Sequence, residues 1–357
     1  MKLFTVGPVE MNSEIKAVGG LQVPYFRTQE FSSLMLEADE MLREFMHAGV
    51  NSKSVYLTAS GTGALEATVM NCLTDKDNVI VINGGTFGHR FVDLCEVYGI
   101  PHTDITLEFG EQLEKKHFDS LKEDTYTALL VNIDETSTGQ LYDIELISEF
   151  CKKHNLLLIV DAISSFLCDQ YDMKKYGIDA TIISSQKGLC IAPGLSVVVL
   201  SERMLRERVL DNNIRSMYFN FKDYLDNFKR GQTPFTPCVG ICLQMHKALT
   251  MIKETGLENH LAYIDNVAKD FRAKVIKIDG VSVPKYALSN AITPIVFDRD
   301  VATKVFEALK DEYEITVNPT GGAMKERILR VAHIGDTKLE DNDILICAIS
   351  DVLKSLK

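Results

Sequence analysis

The chain carries a series of short, almost unbroken apolar runs. They span Val55 to Leu57, Val79 to Ile82, Ala128 to Ile133, Leu156 to Val160, Thr181 to Ser185 and Leu195 to Leu200. Most end in a polar or glycine-bearing turn, and several lead into a segment with helical periodicity, as in the stretches reaching Leu73, Tyr98 and His154. A strand that faces solvent on one side alternates apolar with polar residues, and these runs do not alternate. They are therefore read as strands buried on both faces, in a mostly parallel sheet covered by helices. A separate stripe of Phe31, Leu34, Met35, Ala38, Leu42, Phe45 and Met46 predicts one amphipathic helix over Phe31 to Met46.

At 357 residues the chain is too long for one simple core. Long helical patterns over Pro237 to Thr255 and Leu257 to Val275 are followed by strand patterns at Ile292 to Phe297, Ile315 to Val317 and Ile328 to Ala332. Helical patterns run over Ala302 to Leu309 and Leu339 to Leu356. The expected division is an arm over 1–20 joining a small domain, a large α/β domain over 21–245, and a smaller α+β domain over 246–357. The net charge of −12 disfavours nucleic acid as a partner. No apolar stretch is long enough for a membrane span and no signal peptide is evident, so a cytoplasmic protein is expected. The eight cysteines are dispersed with no C-x-x-C pair, which reads as reduced thiols, and no H-E-x-x-H motif occurs, so no metal site is expected.

Ligands in an open α/β sheet sit beyond the carboxyl ends of the strands, and suspicious residues collect there. Ser60-Gly61-Thr62-Gly63 opens a helix, where free N–H groups and the helix dipole make either an anion site or an ordinary N-cap. Asp161 ends an apolar strand, where an unpaired carboxylate is costly. It either holds a pyridine nitrogen in its charged form or caps locally towards Ser164 or Ser165. Lys187 follows a strand within Ser185-Gln186-Lys187-Gly188, and lysine is the side chain that makes Schiff bases. Its alternative is a solvated surface lysine. Phe87 lies in a glycine-flanked turn and either stacks on a flat ring or packs. Ser137 or Thr138 can bond a phenolic oxygen, and Arg330 is a bidentate clamp for a carboxylate or one half of a surface ion pair. Thr233 and Thr236 either donate to a phosphate or serve turn and cap roles. The sequence has no Walker loop and no ribose-binding acid after its first glycine turn, which disfavours P-loop and dinucleotide enzymes.

Together these segments resemble the class V, fold-type I aminotransferases that depend on pyridoxal 5'-phosphate. The pieces that carry the resemblance are Ser60 to Ala67, Glu135-Thr136-Ser137-Thr138-Gly139, Val160-Asp161-Ala162, Ser185-Gln186-Lys187 with Pro193-Gly194, and Leu329-Arg330-Val331. The resemblance implies a large domain with a seven-stranded, mostly parallel sheet and a smaller C-terminal domain. It also implies roles. Lys187 bonds the cofactor and moves the substrate proton, and Asp161 pairs with the ring nitrogen. Phe87 stacks on the ring and Ser137 contacts its oxygen. Ser60, Gly61, Thr62 and Gln186 hold the phosphate, completed by Thr233 and Thr236 from the second subunit of a homodimer. Arg330 binds the substrate carboxylate, and Gly7 with Tyr25-Phe26-Arg27 lines the entrance. The activity implied is ping-pong transfer of an amino group from a small donor such as alanine or serine to glyoxylate or pyruvate. Asp161 to Phe166 and the Glu135 motif lean towards 2-aminoethylphosphonate–pyruvate aminotransferases, and Gln186 to Leu189 towards the glyoxylate enzymes. A related lyase or cysteine desulfurase would place His before the lysine and Cys on a later loop. Here Gln186 precedes Lys187, and Cys238, Cys242 and Cys347 fall in helical patterns.

Overall fold

A computed structural model describes residues 1–121 and 125–356. The apolar runs form one seven-stranded sheet. In spatial order its strands are Lys53–Leu57, Ser196–Leu200, Ala180–Ser184, Leu157–Asp161, Ala128–Asn132, Val79–Asn83 and His102–Thr106. Ser196–Leu200 runs antiparallel to both of its neighbours, and the other strand pairs are parallel. The five central strands from Ser196–Leu200 to Val79–Asn83 are almost wholly buried because helices cover both faces. This is the expected α/β architecture.

The edge strand His102–Thr106 has no counterpart in the sequence reading. Only Ile105 of its five residues is buried, so it carries no apolar run to reveal it. The helix expected over Phe31 to Met46 runs from Gln29 to Phe45, because Thr28 accepts a hydrogen bond from Phe31 N–H and sets its start.

The second sheet has the order Lys2–Phe4, Ile315–Pro319, Ile328–Ala332, Ile292–Phe297 and Val281–Ser282. Helices Leu257–Val275, Ala302–Glu312 and Leu339–Ser355 contribute Phe271, Val305 and Ile349 to its core. The N-terminal arm begins as a strand here, with Lys2 opposite Ile315 and Phe4 opposite Val317. It then leaves this sheet and reaches the Lys187 loop at Gly7. A short helix, Ser13–Gly19, follows and is tied to helix Val239–Thr255 by a bond from Gln244 Nε2 to the Ile15 carbonyl. Cys242 lies within that helix, Cys238 at its N-cap and Cys347 within Leu339–Ser355, so none sits on a flexible loop. Among the described residues no helix is long and apolar enough to cross a membrane, and no cluster of metal-ligating side chains occurs.

Candidate active site

The parallel strands bring Asn132 and Asp161 side by side in register at their carboxyl ends. Asp161 is buried and accepts from Ile163 N–H at 2.9 Å and from Asn132 Nδ2 at 3.0 Å. Burial pushes its pKa up to about 6, while those two donors and the Lys187 charge pull it back. The bond from Ile163 N–H is a local cap, and no hydrogen bond to Ser164 or Ser165 forms among the described residues. Ser164 instead bonds Thr136.

Lys187 follows the next strand. It is 9% exposed, so the alternative of a solvated surface lysine fails. Burial lowers its pKa, opposed by the carboxyls of Asp134 and Asp161 and assisted by Arg330 and Arg90. A lysine with a lowered pKa is closer to the neutral amine that carbonyl chemistry needs. Lys187 Nζ stands 6.0 Å from the Phe87 ring centroid, and Arg90 lies over the same ring at 4.6 Å.

Gly7 packs directly on the lysine. A Cβ built there would sit 2.7 Å from Lys187 Cδ and 2.9 Å from Cε. Gly7→Ala is therefore expected to displace Lys187 and lower kcat/KM about 10–100-fold, the scale of a misplaced reacting group. Steady-state kinetics beside a thermal melt tests this: full activity at wild-type stability contradicts the packing role.

The loop bearing Phe87 is fixed from beneath by Glu135. This fully buried carboxylate accepts from Phe87 N–H at 3.3 Å, Gly88 N–H at 2.7 Å and Ser137 N–H at 3.0 Å. It also accepts the Ser137 hydroxyl proton. Ser137 Oγ in turn accepts from Thr86 N–H. Ser137 lies at the cleft with its proton committed to Glu135, so donating to a ring oxygen requires leaving that bond.

At the start of helix Gly61–Cys72, Ser60 Oγ caps Gly63 N–H. Both readings of Ser60 therefore meet in one place, because Gly61 N–H and Thr62 N–H make no hydrogen bond among the described residues. Ser184 Oγ donates to Gln186 Oε1 at 2.7 Å, leaving the Gln186 amide N–H groups without a partner among the described residues. Thr62 Oγ1 accepts from Arg90 at 2.9 Å.

Arg330 sits on the second sheet and reaches the turn that follows Glu135 in the large domain. Its two terminal nitrogens donate to the carbonyls of Thr136 (2.8 Å) and Pro319 (2.7 Å), and its Nε is buried without a partner. Among the described residues it forms no ion pair. The surface ion pair considered for it is absent.

Thr233 and Thr236 are not joined to this cluster by hydrogen bonds among the described residues. Thr233 Oγ1 donates to the Phe235 carbonyl, and Thr236 is exposed. Arg27, expected at the entrance, instead holds this same loop through the carbonyls of Thr233 and Pro234. His89 faces outwards beside Asp93.

Sequence reasoning passed over Asn132, Arg90 and Asp134. Asn132 was findable, since it ends an apolar strand just as Asp161 does. Arg90 announces itself only through its ring contact. Asp134 is buried, and burial followed by the Asp169 charge drives its pKa well up, opposed by the Ser289 hydroxyl.

A family model for class V aminotransferases matches residues 23–335. The chain belongs to this family, and its fold is that of the fold-type I enzymes that use pyridoxal phosphate. It is 31% identical over 333 residues to the soluble hydrogenase 42 kDa subunit of Anabaena cylindrica, covering 91% of this chain and 85% of that one. It is 26% identical over 343 residues to the L-aspartate–glyoxylate aminotransferase of Paracoccus denitrificans, covering 93% and 86%. The structure of a subgroup IV aspartate aminotransferase from Thermus thermophilus superposes with a TM-score of 0.92 at 25% identity, covering all of both chains.

The site fits the cofactor on its own geometry. The free donors of Gly61, Thr62 and Gln186 suit a phosphate, the Phe87 face suits a flat ring, and the buried Asp161 carboxyl suits a protonated ring nitrogen.

Proposed function

We propose that this aminotransferase moves the amino group of a small amino acid to glyoxylate or pyruvate by alternating half-reactions. The observation that carries the reading is Arg330, a largely buried guanidinium with no carboxylate partner among the described residues, whose charge acts on Lys187. An unpaired buried cation of this kind is suited to bind an α-carboxylate. Alanine, serine and aspartate are the donors to try first, and the glyoxylate enzymes among the relatives support the acceptor.

Pyridoxal phosphate, when bound, supplies the electron-withdrawing ring that stabilises charge at the donor's α-carbon. The chain's residues do the rest. Arg330 orients the carboxylate, which sets the α-hydrogen towards Lys187. Lys187 Nζ, whose pKa burial lowers, takes that proton and later returns it. Asp161 keeps a positive charge opposite it at the end of its strand. Glu135 holds the Phe87 loop rigid, so that the ring face does not have to be ordered during the reaction. Asp134 opposes the neutral amine when ionised, and burial favours its own neutral form.

In this reading Thr233 and Thr236 serve the phosphate of the other subunit in a homodimer, and Arg27 fixes their loop for that purpose. The arm, large domain and small domain divide near residues 20 and 245, and the enzyme works in the cytoplasm.

Arg330→Gln tests the clamp. Loss of a charge-assisted carboxylate contact is expected to lower kcat/KM for the amino acid about 10–100-fold, mostly through KM. An unchanged KM for every donor and acceptor would remove the reading.

A further inference from the structure

Arg330 and Asn318 stand opposite each other where strands Ile328–Ala332 and Ile315–Pro319 pair antiparallel. Residues directly opposite in such a pair project from the same face, with Cβ atoms about 4.5–5.5 Å apart. Arg330 uses that face to reach the Thr136 carbonyl, in the turn that holds Ser137 at the cleft.

The N-terminal arm fixes which end of the Asn318 amide is free. Val6 N–H donates to Asn318 at 2.8 Å. A backbone N–H only donates, so the atom it meets is Oδ1. The oxygen is thereby engaged, and the Nδ2 protons have no partner among the described residues. Val6 precedes Gly7, which packs on Lys187. The half-buried Asn318 side chain thus joins the strand beside Arg330 to the arm segment that touches the reacting lysine. Arg330 alone leaves part of a carboxylate unpaired. Its Nη1 donates to the Thr136 carbonyl and its Nη2 to the Pro319 carbonyl, so each terminal nitrogen keeps one N–H for a ligand. An ionised carboxylate offers about four lone-pair sites.

We propose that Asn318 Nδ2 is a further donor to the substrate carboxylate that Arg330 binds, held in place by the Val6 bond. The inference rests on the carboxylate role of Arg330 and adds a specificity-determining residue to it. Donors from two adjacent strands fix the plane of the carboxylate as well as its position. That plane sets the side on which the α-hydrogen stands towards Lys187. An amine without an α-carboxylate gains no contact from either residue, so amino acids are favoured over such amines.

The test is a double-mutant cycle on the cofactor-loaded enzyme. The kcat and KM of its best amino-acid donor are measured for wild type, Asn318→Ala, Arg330→Gln and the double variant. Asn318→Ala should raise KM about tenfold or more, the scale of one hydrogen bond to a charged group. In the Arg330→Gln background it should raise KM less than about threefold, because the carboxylate is no longer held beside it. A residue that only latches the arm would lower activity by the same factor in both backgrounds. Asn318→Asp separates the two atoms of the amide. It keeps an oxygen for Val6 N–H and removes the donor, so it should raise KM at least as far as Asn318→Ala, and it serves if Asn318→Ala does not fold. An unchanged KM in Asn318→Ala, equal losses in both backgrounds, or a wild-type KM in Asn318→Asp would each overturn the proposal and leave the reading of Arg330 intact. If Arg330→Gln itself leaves KM unchanged, the two fall together.

Discussion

Lys187→Ala is expected to abolish transamination, with kcat lower by at least about 10⁴-fold. The general-base contribution alone is of order 10²–10⁴, and the covalent role is lost with it. Lys187 is buried, lies against Gly7, and faces the Phe87 ring from the end of its strand. The variant should fold, because removing a buried lysine eliminates an amine whose charged form burial already disfavours. The measurement is a single-turnover assay with wild-type and variant protein, read beside the visible absorbance of the loaded cofactor. Retained turnover at more than about one part in a hundred would place the reacting amine elsewhere.

Asp161→Asn has the second-largest expected effect, and it acts in opposite directions on activity and stability. Activity should fall about 10²–10³-fold, the scale of removing one preorganised electrostatic partner. Stability of the cofactor-free protein should rise. Burial raises the folded-state pKa of Asp161 to about 6 from an ordinary value of 3.8. The folded protein therefore binds this proton more tightly than the unfolded chain does. The group's favourable contribution is present below about pH 4 and is lost as pH rises through about 6. Above that pH the ionised, buried carboxylate costs up to about 3 kcal/mol. Asparagine removes that cost. It can keep the Ile163 bond through its oxygen, and a flip of Asn132 would turn the oxygen that now lacks a partner towards the new amide. Denaturant melts of the cofactor-free proteins from pH 4 to pH 8 check the sign. The variant should gain over wild type as pH rises through 6. A variant equally or less stable at pH 8 would mean that Asp161 is not a buried charge in the free protein.

These two residues were legible in the sequence for a simple reason. Asp161 ends an apolar strand, where a carboxylate contradicts its surroundings, Lys187 follows another strand on a short loop, and strand ends in such a sheet converge. The same logic exposes Ser60 to Thr62, where glycine and hydroxyl residues open a helix. The sheet itself was legible because strands buried on both faces leave unbroken apolar runs. His102–Thr106 was not, because an edge strand needs few apolar residues. Lys2–Phe4 is too short to announce itself, and its partner lies far along the chain at Ile315–Pro319.

The supporting residues were hidden for a different reason. Glu135 reads as one letter of a motif, yet its work is to gather N–H groups from Phe87, Gly88 and Ser137. The resemblance puts Gly7 at the entrance, and only the fold shows that it leaves room for Lys187. The partners of Arg330 are the carbonyls of Thr136, in the turn after Glu135, and of Pro319, and no local pattern encodes either contact. The roles that the resemblance gives Thr233 and Thr236 need a second subunit, and within one chain their hydroxyls make no hydrogen bond to the cluster among the described residues.

The most direct measurement is borohydride reduction of the cofactor-loaded protein followed by peptide mapping. Lys187 should carry the reduced cofactor as a single modified site. A label on another lysine, or no label on a protein that retains activity, would contradict the assignment on which the site is built.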